Sequence, residues 1–141
     1  MNNDRVLRVI IKLLFPFVLL FALYVQFHGD FGPGGGFQAG VLAASAFIAY
    51  SLIFGTRRLH EILSVRFLEI CSALGVLLYG GTGLVALIQG GRFLDYSYLG
   101  STQVKGQLIG IFVVELGVFL TVASVMLNLF FMFADRKPAG D

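Results

Sequence analysis

Four apolar runs, each long enough to cross a bilayer, constrain this chain more than anything else in it. They cover about residues 6–27, 36–54, 67–89 and 106–133, against the ~20 mostly apolar residues a helix needs to span the hydrocarbon core. Unbroken runs of this kind read as helices, because the strands of a membrane barrel alternate in polarity over about ten residues. The overall balance agrees: 57% of residues are hydrophobic and 13% charged, with a mean hydropathy of +0.88. A chain of 141 residues cannot bury so much apolar surface in one core, so its outside must face an apolar solvent. The expected fold is all-α: a single four-helix membrane domain over 1–141.

Charge placement predicts an orientation. Arg5, Arg8, Lys12, Arg57, Arg58, Arg66, Arg136 and Lys137 lie at the two ends and in the middle connection, whereas Arg92 and Lys105 lie on the other side. The positive-inside rule then puts both termini and the middle connection in the cytoplasm, and an even number of spans agrees. Basic residues precede the first apolar run, as in a signal peptide. No small-residue cleavage site follows, however; the chain continues Tyr24-Val25-Gln26-Phe27-His28, so the first helix is expected to stay uncleaved.

Several classes of function fall away. No basic run reads as a nucleic-acid patch, and the single cysteine, Cys71, builds neither a disulfide framework nor a cysteine-based metal site. There is no nucleophile–base–acid set, no dinucleotide fingerprint and no metal-ligand spacing. His28 and His60 are expected on opposite sides of the membrane, where they cannot share a metal. Neither an enzyme nor a cofactor is expected, and His60, in the basic loop, is expected to be solvated.

The densest local signal lies between the first two spans, in His28-Gly29-Asp30-Phe31-Gly32-Pro33-Gly34-Gly35-Gly36-Phe37-Gln38-Ala39-Gly40. Pro33 fixes its own φ and biases Gly32 away from helix, and the glycines after it permit positive φ and close backbone approach. The second helix is expected to start near Gly35 or Gly36, with its first amide hydrogens free to meet an anion or a neighbouring chain. The turn lacks the Lys-Ser/Thr ending of a phosphate-binding loop, and it is expected to pack against a partner subunit. Gly36, Gly40 and Ala44 share one helix face, the kind of stripe that lets another helix come close in lipid. At the mouth of the turn, His28 and Asp30 are candidates for proton access or for capping helix ends.

Glu115 is the most informative single residue. It lies ten residues beyond Lys105, or about 15 Å along a helix, and the uncharged run 116–134 prevents the helix from sliding to bring it into water. An intramembrane carboxylate must be protonated, paired or beside a water-filled cavity, and it marks a functional candidate on an ion pathway or a charged subunit contact. Lys105 stands at the start of the fourth helix, where the dipole disfavours a cation. Compensation is expected from Asp95, a partner's carboxylate or a headgroup phosphate. Lys105 and Glu115 fall roughly 80° apart around a helix and form no direct pair. Gly106 and Gly110 form a close-approach pair with Gly117 near the same face, and Glu69 is expected to pair with Arg66 at the membrane edge.

These residues carry a family resemblance. The segment from His28 through Pro33-Gly34-Gly35-Gly36-Phe37 to Gly40 resembles the His…Pro-Gly-Gly-Gly-Phe-x-Gly-Gly signature of the MnhB-domain family, a small component of Mrp-type multisubunit cation/proton antiporters. Leu99-Gly100 through Lys105-Gly106 resembles that family's Gly-Lys entry to the last helix, and Glu115-Leu116-Gly117-Val118 its acidic-Leu-Gly-Val segment. Ala39 stands where the signature has the first of its closing glycines. The resemblance implies a small accessory and structural subunit of a Na⁺/H⁺ antiporter in the cell membrane. Its partners would be large antiporter-like subunits and other small hydrophobic chains. It also implies that the Pro-Gly-Gly-Gly-Phe turn and the Lys105/Glu115 helix build a subunit interface or line part of the ion path. Two alternatives remain at this point: the equivalent subunit of a complex-I-like hydrogenase or redox-driven pump, and a stand-alone four-span cation or drug exporter.

Overall fold

The computed structural model describes residues 2–28 and 34–136. Among them are five α-helices: α1 (Asn2–Phe27), α2 (Gly36–Phe54), α3 (Thr56–Ile62), α4 (Val65–Ile88) and α5 (Gln103–Ala134), with a single 3₁₀ turn at Tyr96–Tyr98 before α5. Four of them, all but α3, are long and apolar enough to cross a membrane. The expected all-α, four-span architecture is the one observed, and no strand occurs among the described residues.

Local chemistry sets the ends of these helices. Ser64 opens α4 by accepting a hydrogen bond from the Phe67 amide at 3.2 Å, and Thr102 opens α5 by accepting from Lys105 at 3.3 Å, as N-cap hydroxyls do. Capping carries both helices two or three residues ahead of their apolar runs. At about 48 Å, from 32 residues at 1.5 Å each, α5 exceeds the ~30 Å hydrocarbon core and must tilt or emerge from it. In contrast, α2 opens on Gly35, which offers no side-chain cap.

The main pairings run α1–α2–α5–α4, with a lesser contact from α1 to α5. The central α2–α5 pair is joined through small residues: Gly36, Gly40 and Ala44 of α2 are buried, and a methyl on Gly40 would press against the Phe119 carbonyl and Val122 of α5. Gly75 of α4 crosses Gly117 of α5 just as closely, and a methyl on Gly117 would lie 2.7 Å from the Gly75 carbonyl. Close backbone approach of this kind replaces the hydrophobic drive that lipid removes. The helix that the α2 stripe admits is α5 of the same chain.

The larger side chains collect at the cytoplasm-predicted end. Ala44, Leu59, Leu68, Leu127 and Phe131 form one buried cluster. The short helix α3, which lacks the length to signal itself in the sequence, lies beneath it and buries Leu59 completely. His60 on the next position accepts or donates a 2.7 Å hydrogen bond with Asp135 Oδ2 and stacks on Phe131 with ring centroids 4.0 Å apart. The expectation of a solvated His60 is therefore corrected: burial of Leu59 turns its neighbour onto the end of α5. Glu69 forms no ion pair with Arg66 among the described residues, where the carboxylate bridges within 4.0 Å are Arg57–Glu61 and His60–Asp135.

Candidate functional site

The turn before α2 and the acidic position in α5 are 80 residues apart in sequence, yet they meet. A β-carbon built on Gly35 would lie 3.3 Å from Glu115 Oε1 and 3.7 Å from Gln38 Oε1. One built on Gly36 would lie 3.0 Å from the Glu115 carbonyl carbon and 3.2 Å from its Cα. The absence of side chains at Gly35 and Gly36 is therefore what seats the Glu115 carboxylate against the start of α2. That helix end has no side-chain cap from Gly35, and its first-turn amides have no intrahelical acceptor. They carry roughly half a positive charge, which favours a neighbouring anion. Gly34 requires its glycine for a different reason: its φ is +127°, a region side-chain-bearing residues avoid, and it packs on Val25 of α1.

The C-terminal end of α1 closes on the same place. Phe27 stacks on Phe112, one turn before Glu115, with centroids 5.8 Å apart and planes at 20°. Its neighbour Gln26 is only 2% exposed, and neither its carboxamide nitrogen nor its oxygen has a hydrogen-bond partner. Unpartnered polar groups inside a membrane are costly, which makes Gln26 a functional candidate that no sequence motif marks. The available signal is a glutamine within the last turn of an apolar run. His28 continues this end, stacked on Tyr24 at 4.5 Å. Asp30 and Pro33 lie outside the described residues.

Lys105 stands apart from this meeting point. It is exposed on the first turn of α5 and has no ion-pair partner among the described residues. Asp95, one of its expected partners, instead accepts from the Ser97 amide at 3.2 Å and helps shape the connection between α4 and α5. Three aromatic rings fold that connection onto glycines: Phe93 onto Gly83, Tyr96 onto Gly110 and Tyr98 onto Gly91. Gly106 meets the Tyr96 and Ser97 carbonyls. The close-approach face of Gly106 and Gly110 thus receives the chain's own α4–α5 connection rather than a helix. Burial raises the Tyr96 hydroxyl above its ordinary range, and neighbouring Tyr79 adds to the shift. Gly117, two turns further along nearly the same face of α5, serves the α4 crossing.

These features define a multi-pass membrane protein with an acidic group held inside a span against a glycine-built helix start. Residues 6–128 match the family description "Domain related to MnhB subunit of Na+/H+ antiporter", and the chain belongs to this MnhB family. It is 30% identical over 135 residues to a Na(+)/H(+) antiporter subunit of Bacillus subtilis strain 168, covering 91% of each chain. It is 32% identical over 142 residues to an antiporter subunit, mnhB2, of Staphylococcus haemolyticus, covering 96% of this chain and 98% of the relative. The corresponding mnhB2 protein of Staphylococcus aureus strain Newman is 34% identical over 130 residues, covering 90% of this chain and 92% of the relative.

Proposed function

We propose that this protein is the MnhB component of a multisubunit Na⁺/H⁺ antiporter of the cell membrane, with its termini and α3 on the cytoplasmic side. Family membership over residues 6–128 supports the complex. The observation that carries a role beyond scaffolding is Glu115, seated against the Gly35–Gly36 start of α2. A carboxylate there is stabilised as an anion by the helix end and is positioned to exchange a proton as a cation passes. His28 and Asp30, which precede the same turn in the sequence, are assigned to proton access to it. Lys105, exposed at the outer start of α5, meets a carboxylate of a larger antiporter-like subunit or a headgroup phosphate.

The pairing order supports an incomplete site. Helices in a row α1–α2–α5–α4 enclose no channel of their own, and the span of α1 is only 6% buried. The pathway beside Glu115 is completed by other subunits, and the chain transports nothing alone.

Affinity purification of this chain from native membranes in mild detergent, with mass spectrometry of its companions, tests the assignment. Large antiporter-like subunits and other small hydrophobic chains are expected, without redox proteins. Iron–sulfur or hydrogenase subunits would move the chain to a redox-driven pump, and recovery as a stable dimer alone would overturn both readings.

Gln26 gives a sharper test of the site. Replacing an unsatisfied buried polar group with an apolar one of similar shape is nearly neutral or stabilising, so Gln26→Leu is expected to assemble as well as wild type. If Gln26 serves Glu115, exchange should nevertheless fall severalfold. Full exchange in Gln26→Leu would remove it from the site.

A further inference from the structure

The face carrying the basic residues holds a second constellation, away from Glu115. Phe54, the last residue of α2, is approached by three cations from two other helices. Arg8 Cζ lies 5.8 Å from the ring centroid, Lys12 Nζ 5.4 Å and Arg58 Cζ 6.0 Å. The ring is held in place: it stacks on Tyr50 at 4.7 Å, and Tyr50 packs on Phe15 of α1 at 5.6 Å. None of the three cations has a carboxylate within 4.0 Å among the described residues, whose carboxylate bridges are Arg57–Glu61 and His60–Asp135.

The local charge does not balance. Arg8 and Lys12 are one turn apart on α1, a like-charge pair that repels. All three cations gather on the scale of the Debye length, about 10 Å at 0.1 M salt. The carbonyl end of α2 offers roughly half a negative charge against three positive ones. The quadrupole of one aromatic ring attracts cations but carries no net charge. An anion is needed, and Arg and Lys around a fixed ring present donors suited to phosphate oxygens.

We infer that Arg8, Lys12 and Arg58, gathered around Phe54, bind a phosphodiester anion, the headgroup of an anionic phospholipid in the adjoining leaflet. Position favours the lipid over free phosphate. Arg8 and Lys12 lie at the polar end of the α1 span, at headgroup depth, where basic pockets between spans take acidic lipids. Deeper along the same α1–α2 pair, a mostly apolar groove of about 320 Å³ is lined by Ile11, Leu14, Phe15, Val18, Ala46 and Ala49, together with Ser45, whose hydroxyl donates to the Leu42 carbonyl. It gives an acyl chain a path beside the headgroup. Such a lipid fills the edge of the row at α1 without requiring a protein partner there.

The test uses the delipidated, assembled complex titrated with phosphatidylglycerol in mixed micelles, with phosphatidylcholine as comparator and retained lipid read by native mass spectrometry. The triple variant Arg8→Gln/Lys12→Gln/Arg58→Gln is expected to bind phosphatidylglycerol about tenfold more weakly, equivalent to 1.4 kcal/mol. The control Arg57→Gln/Arg66→Gln/Arg136→Gln, which removes the same charge from the same face, should stay within about twofold of wild type. Equal loss in both variants would reduce the effect to diffuse surface charge, and no loss in the first would overturn the site. Competition by inorganic phosphate, at matched ionic strength, as effective as that by the lipid would assign the site to a free anion. Phe54→Leu keeps every charge and so assembles even if the triple variant does not. It must itself weaken phosphatidylglycerol binding severalfold, or the ring-centred site is wrong.

Discussion

Replacing Glu115 by glutamine in the assembled complex is expected to lower Na⁺/H⁺ exchange about tenfold or more, a change of 1.4 kcal/mol or greater, without loss of assembly. Glutamine keeps the shape that fits beside Gly35, where the carboxylate oxygen lies 3.3 Å from the β-carbon position. It gives up the negative charge that the α2 helix end favours and the ability to take up and release a proton. An anion at a helix N-terminus contributes about 0.3–1 kcal/mol, so a slightly weaker junction at α2 should accompany the functional loss. Exchange measured in membrane vesicles, alongside recovery of the intact complex, separates the roles. Unchanged exchange with full assembly would leave the chain a scaffold, and lost assembly would make Glu115 a structural cap of α2.

Gly36→Ala should be among the most damaging single methyls at the described glycines. Its β-carbon would collide with the backbone of Glu115, including the carbonyl carbon at 3.0 Å and Cα at 3.2 Å. Backbone cannot swing aside as the tip of a side chain can. Overpacking of this kind costs about 1–3 kcal/mol, and here it would also push α5 away and displace the carboxylate. Gly80→Ala is the matched control, since nothing lies within 4 Å of its β-carbon position. That change should stay within ~0.5 kcal/mol. The yield and thermal stability of purified complex compare the two. Equal behaviour would show that the α2–α5 junction tolerates separation, and the proposed seat for Glu115 would fail with it.

The two features that most mark the sequence, the glycine turn and the charge within the last span, are legible separately. Five glycines and a proline fall within residues 32–40, and Glu115 precedes an uncharged run over 116–134. Neither feature carries information about the other. A glycine announces only that a side chain is missing, so the partner in its notch is undefined until the helices pack. The stripe at Gly36 and Gly40 is therefore equally suited, as a sequence, to a foreign helix and to α5. Gly106 and Gly110 have the spacing of a helix contact but receive Tyr96 and its neighbours. Gln26 and His60 are hard to read for a related reason, since their surroundings come from residues remote in the chain.

By itself, the sequence determined that the chain crosses a membrane four times, as helices, and where those helices begin and end to within a few residues. These properties are local: run length against bilayer thickness, internal satisfaction of backbone hydrogen bonds, and caps such as Ser64 and Thr102. Tertiary structure alone decided the pairing α1–α2–α5–α4, the return of α3 beneath Leu127 and Phe131 and the meeting of Glu115 with Gly35. In lipid, apolar side chains attract one another no more than they attract the solvent. Hydropathy therefore does not say which helix neighbours which. That choice falls to backbone approach and to the few polar groups left to satisfy, and both depend on three-dimensional fit.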